Sequence, residues 1–211
     1  MTAHRSMIRR AAAVAAAATA AVLLAACGGA DDSSSGHGGH APSAPGTATS
    51  ASAQEGEHNA ADVTFAQGMI PHHRQAVEMA DLAATRAGSA DVKALAAEIK
   101  KAQDPEIKTL SGWLTSWGED VPKEDEGGEH AGHSMSGMMT PEEMAELEKA
   151  SGAAFDTAFL EMMVKHHEGA VDMAKTEQAD GSYRPAKDMA GDIVTSQSAE
   201  ITRMNELLGK N

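Results

Sequence analysis

The sequence predicts an all-α protein, a four-helix bundle made of two duplicated helical hairpins with a short extra helix between them. Met69-Ile70-Pro71-His72-His73, followed by Ala76, Val77, Met79 and Ala80, is matched by Met163-Val164-Lys165-His166-His167, followed by Ala170, Val171, Met173 and Ala174, at a constant offset of 94. The same ungapped register pairs Asp62 with Asp156, Phe65 with Phe159, Lys93 with Lys187, Ile99 with Ile193, Gln103 with Gln197, Glu106 with Glu200 and Ile107 with Ile201. A register held over that length marks duplication of one structural unit. Apolar residues recur at spacings of three and four, and no stretch sustains the alternation of a strand.

The chain opens on a different composition. Arg5, Arg9 and Arg10 precede a short, Ala-rich apolar run that closes as Leu24-Ala25-Ala26-Cys27. This is the pattern of a secretory signal, too short and too small-residued for a membrane span. Its end resembles a bacterial lipobox, which makes residues 1–26 the signal and Cys27 the lipidated mature N-terminus, a lipid anchor on the outer face of the cell membrane. The alternative is a plain secreted protein cut nearby. Two acyl chains anchor firmly where one binds only reversibly. Cys27 is the only cysteine, so a soft-metal site in the mature chain must be made without thiolate.

Residues 27–57 are rich in Gly, Ser, Ala, Thr and Pro and read as a tether with too little apolar surface to fold. The folded domain is expected over 58–211: repeat 1 at about 58–117, a Met/His-rich loop at 118–140 and repeat 2 at about 141–211. The signal holds three arginines and no acid, so its removal takes the formal charge from −14 to −17. A chain this acidic is a poor partner for nucleic acid and attracts cations weakly.

In repeat 1, Phe65, Met69, His72, Ala76 and Met79 lie on one helix face. Gly88-Ser89 breaks that helix, and Ser89 suits the N-cap of the next, which carries Val92, Leu95, Ala96, Ile99, Ile107 and Leu110 and ends before Gly118. Pro71 and Pro105 fall inside these helices. The second copy has Lys165 and Ala199 there, so a kink is expected rather than a stop. Thr140-Pro141-Glu142-Glu143 starts the short extra helix with a cap, a first-turn proline and acids. Ser151-Gly152 ends it, and Gly181-Ser182 with Pro185 divides the second hairpin.

On a helix, residues three and four apart are neighbours, so Met69 stands beside His72 and His73, with Met79 farther along the stripe. Met163, His166, His167 and Met173 repeat the set. A methionine stripe alone is ordinary core, and a lone buried His is ordinarily a hydrogen-bonded one. Two adjacent His in identical register, each pair one turn after a Met, point instead to metal ligands. Thioether with imidazole selects Cu(I), with silver as an intruder. Di-iron bundles place Glu three residues before the ligating His; here Met69 and Met163 stand there. Accessory donors are His130, His133, Met135, Met138 and Met139 in the loop. Gln103, Glu106, Gln197 and Glu200 are candidates to orient the imidazoles or to fix helix register. Asp62 and Asp156 are candidate helix caps or partners of the His pairs.

The motif Asp62-x-x-Phe65-x-x-x-Met69-Ile70-x-His72-His73-x-x-Ala76-x-x-Met79-Ala80, with its copy from Asp156 to Ala174, resembles the signature of the domain-of-unknown-function-305 family over about residues 58 to 209. The resemblance implies a ferritin-like helical fold and export in bacteria, in a family that includes copper-binding, copper-tolerance proteins of the CopM type. Carried over by position, it implies Met69, His72, His73, Met79, Met163, His166, His167 and Met173 as the metal ligands.

The expected function is Cu(I) sequestration or transfer by a non-enzymatic lipoprotein, whose partners are metal ions, the membrane and a copper-transfer protein. A ferritin-like metal-dependent redox enzyme and a structural lipoprotein with the His pairs as polar core are the alternatives. Metal affinity is expected to fall below about pH 6, where protons compete for imidazole.

Overall fold

The structure is a computed structural model that describes residues 57–123 and 136–210. Residues 1–56, which include the expected signal, Cys27 and all but the last residue of the expected tether, lie outside the described residues, as do His130, His133 and Met135. Five helices follow in order: α1 Ala60–Arg86, α2 Ala90–Trp117, α3 Pro141–Lys149, α4 Gly152–Asp180 and α5 Arg184–Leu207. No strand occurs among the described residues. Helices α1 and α4 pack against each other at the centre, and each also packs against the second helix of its own hairpin.

The local signals act as expected. Ser89 caps α2 through Asp91 N, and Thr140 forms a capping box with Glu143 ahead of Pro141. Gly118 ends α2 in the left-handed region at φ 76°, a conformation costly for residues with a Cβ. Both long helices of the first hairpin run through their prolines, Pro71 and Pro105.

Packing divides each of the four long helices into three parts. One apolar cluster takes Phe65, Met69 and Ile70 of α1, Leu110 and Leu114 of α2, Ala170 and Ala174 of α4, and Ala186, Ala190 and Ile193 of α5. The other takes Ala76 to Ala83 of α1, Val92 to Ile99 of α2, Phe155 to Met163 of α4, and Met204 of α5, with Met144 and Leu147 of α3. Between the two, at the midpoint of every long helix, the buried residues turn polar: His72 and His73, Gln103, His166 and His167, Gln197. The duplication thus yields a polar layer between two apolar ends.

Asp62 and Asp156 serve the ends of the bundle and hydrogen-bond no imidazole. Asp62 accepts from Asn59 N at 2.6 Å in the α1 capping box, and from Ser182 N and Tyr183 N, at 3.1 and 2.9 Å, in the turn of the other hairpin. Asp156 accepts from Gly88 N and Ser89 N, at 3.0 and 2.8 Å, in the first hairpin's turn. Carboxylates are drawn there because turn amides have no helical partner of their own.

Glu177 breaks the symmetry. It is buried beside Asp62, its counterpart in the first repeat is Ala83, and neither of its oxygens has a donor. Burial, then the Asp62 carboxyl, pushes its pKa from 4.5 up to about 8, so at neutral pH it is a carboxylic acid able to donate its proton to Asp62. The folded state therefore holds a proton that the unfolded state releases above pH 4.5, and stability attributable to Glu177 falls as pH rises from there to about 8. Glu177→Gln, which keeps a donor without a charge, is expected to remove that slope. It should raise stability at pH 8 by at least about 1 kcal/mol, roughly one unit of pKa difference, in urea melts from pH 4 to 9.

Candidate metal centre

His72 and His166 meet at the pseudo-twofold axis with ring centroids 3.7 Å apart and planes tilted by 40°. All four imidazoles of the layer are fully buried. Their helices place them there because α1 and α4 run antiparallel. Met69, one turn before the first pair, therefore shares an apolar cluster with Ala170, one turn after the second, while Ala76 and Met163 share the other.

The other two imidazoles are oriented by carboxylates. His73 Nε2 lies 2.7 Å from Glu106 Oε2, and His167 Nε2 lies 2.7 Å from Glu200 Oε2. A carboxylate draws the ring proton to Nε2 and leaves the lone pair on Nδ1. His72 is set the same way, since its Nε2 is 3.3 Å from the Ser136 carbonyl, which can only accept. Nδ1 of His72, His73 and His167, and both ring nitrogens of His166, are buried without a partner. Each such atom costs about 1–3 kcal/mol if left bare, so the layer is poor as mere core. Imidazoles held through one nitrogen by an oxygen acceptor, with the other nitrogen bare, are in the state of metal-ligating His.

Burial, and then the electrostatic effect of the neighbouring His73, lowers the His72 pKa to about 3. Burial and the other three imidazoles lower that of His166 well below its ordinary value. Both rings are neutral across the physiological range. Proton competition at His72 therefore begins far below the pH of about 6 expected from an ordinary imidazole.

Of the predicted orienting residues, Glu106 and Glu200 contact the His pairs. Gln103 and Gln197 share the layer, buried, with each Oε1 unpartnered and neither amide bonded to an imidazole. Met69, Met79 and Met163 are fully buried in the flanking apolar clusters. Met173 is half-buried and lines a groove of about 530 Å³ with Phe65, Gly68, Thr176 and Glu177, so it is not equivalent to Met79. Met138 is half-buried, and Met139 is buried in the cluster that holds α3. Among the described residues, no three of His, Cys, Asp and Glu converge to hold an ion by themselves. A site here needs a ring movement or a thioether to complete it.

Sequence reading passed over Gln75, Ser136, Gly137, Gly169 and Glu177. Gln75 and Gly169 occupy equivalent places in the two repeats, as do Ala83 and Glu177, but many other aligned positions of α1 and α4 also differ, so the mismatch alone does not single them out.

His72 and His166 remove stability as pH falls below 6.5, since the unfolded state takes up protons that the folded state refuses. Between pH 4.5 and 6.5 the Glu177 slope opposes theirs. Metal-free Glu177→Gln protein is therefore expected to lose stability steadily from pH 6.5 to 4.5, and a flat profile there would refute the buried-neutral assignment.

The model of the domain of unknown function DUF305 matches residues 62–208. Solved structures with the same fold include a DUF305 protein from Streptomyces coelicolor, assigned as secreted, which is 34% identical with a TM-score of 0.64, over 71% of this chain and 93% of that one. CopM in its Cu(II)-bound form is 34% identical with a TM-score of 0.61, over 69% and 94%. A DUF305 fragment from Deinococcus radiodurans is 30% identical with a TM-score of 0.63, over 72% and 98%. CopM has also been solved in Cu(I)-bound and Ag-bound forms. No curated protein is similar to this chain.

Proposed function

The chain belongs to the DUF305 family, and on that premise we propose that it is an exported, membrane-anchored, non-enzymatic metal-binding protein that sequesters or transfers Cu(I), or Ag(I) in its place, through the His layer. The observation that carries this reading is the facing pair His72 and His166, neutral, fully buried and with three of four ring nitrogens bare. The copper and silver forms of CopM support the choice of ion.

The donor chemistry favours the same choice. Zn²⁺ in structural sites wants a closed set of four ligands, and no three of His, Cys, Asp and Glu converge among the described residues. A soft monovalent ion is served by few nitrogens and can add a thioether, which Met69 and Met163 offer from one turn before each His pair. The carboxylates of Glu106 and Glu200 hold the rings that would bind it. The lipobox-like Leu24-Ala25-Ala26-Cys27 supports anchoring outside the cytoplasmic membrane.

Purified mature protein titrated with Cu(I) against a chromophoric chelator should bind tightly. His72→Ala/His166→Ala should weaken binding by more than about 100-fold, and Glu106→Gln/Glu200→Gln by about 10–100-fold. Binding unchanged in the His double variant would sink the proposal. So would a melting temperature that Cu(I) does not raise, since a ligand of the folded state must raise it; that result would favour a structural polar layer. Copper-loaded protein should consume no oxygen with added reductant beyond the rate of the ion alone. Cys27→Ser should move the protein from the membrane fraction to the soluble one.

A further inference from the structure

The pseudo-twofold axis leaves the bundle between Gln75 on α1 and Gly169 on α4, which are equivalent by the offset of 94. One is a long amide and the other has no side chain. The reason is the short strap Ser136–Met139, which crosses the axis there. Gln75 grips its far end through two hydrogen bonds, accepting from Met139 N at 2.7 Å and donating to Met139 O at 2.8 Å. Gly169 makes room for its near end, because a Cβ at 169 would run into the Ser136 carbonyl. Gly137 lies between them at φ 82°, and a Cβ there would sit 2.6 Å from the Lys165 carbonyl oxygen and 3.0 Å from that of His166.

The strap lies on the Nε2 side of His72. Ser136 supplies the carbonyl at 3.3 Å and is itself exposed. The strap is attached unevenly. Met139 is buried, gripped by Gln75, and followed directly by the Thr140 capping box. Among the described residues, Ser136–Gly137 is held by close packing and one long hydrogen bond. The other imidazole partners are a stronger barrier, since the carboxylate contacts of His73 and His167 are 2.7 Å.

We propose that Ser136–Gly137, hinged at Met139, is a removable cover over the His72–His166 pair and the route by which a soft metal ion enters and leaves. The inference rests on the metal reading of the His layer. It assigns Gln75 and Gly169 as positioning residues that control exchange. It also makes the two repeats unequal, because a ring nitrogen of His72 meets the strap whereas neither ring nitrogen of its mate His166 has a partner.

The test uses full mature protein with Gly169→Ala, which displaces the near end, and Gln75→Ala, which frees the hinge. Alanine is the best helix former, so neither change threatens α1 or α4. Stopped-flow transfer of Cu(I) to and from a chromophoric chelator should be at least about tenfold faster in both directions in each variant. Equilibrium affinity should change less than the rates, by no more than the roughly tenfold expected for loss of an orienting acceptor. In metal-free protein, the Met139 amide should exchange with solvent faster in Gln75→Ala. Wild-type rates in both variants would overturn the proposal, as would acceleration confined to Glu106→Gln/Glu200→Gln, which would place the route on the carboxylate side. Wild-type protein that takes up no Cu(I) would overturn the metal reading as well, and is told apart by that absence.

Discussion

The pairing of His72 with His166 across the axis is the constraint on which the remaining architecture depends. Two imidazoles can meet at 3.7 Å with most of their ring nitrogens unpartnered because both are neutral, and burial keeps them so. Exclusion falls to the elements around them: an apolar cluster on each side, carboxylates on the outer imidazoles, and the strap over the axis. Leucines in the layer would make a more stable bundle, since each stranded ring nitrogen opposes folding. The layer is thus an arrangement that folding tolerates and that a bound ion would relieve.

Duplication gave this bundle its symmetry, and the departures from symmetry have physical causes. Gln75 and Gly169 differ because a segment of backbone lies on one and beside the other. Ala83 and Glu177 differ because only one end of the bundle carries an acid beside its turn-binding aspartate. Helix α3 covers the α1–α4 seam at one end with Met144 and Leu147, while the equivalent seam at the other end is the groove lined by Met173. The repeats therefore share a layout and differ in what surrounds it.

Much of this was legible in the residues. Helix extents, the Ser89 and Thr140 caps, Gly118 as terminator and the duplicated hairpins follow from local chemistry and from the offset of 94. Glu106 and Glu200 could be tied to the His pairs because each sits on its own hairpin's second helix, at one fixed separation from the His it holds. Asp62 and Asp156 could not be placed, since their partners are turn amides of the opposite hairpin, about 120 and 68 residues distant. Met79 and Met173 look identical in sequence, yet Met79 is buried in the cluster that takes in α3 while Met173 lines an open groove. The strap escaped notice because its residues have no periodicity and acquire meaning only from the helices beneath them.

The aspartate contacts have a meaning beyond bracing the ends. Asp62 of the first hairpin holds the turn of the second, and Asp156 of the second holds the turn of the first, at matching positions. Reciprocity of this kind is what an isologous interface between two identical subunits produces. The chain has the contact logic of a homodimer of hairpins whose halves became covalently joined. Once joined, each half was free to diverge, and an insertion between them could acquire a side of the shared centre that neither ancestral copy could have covered alone.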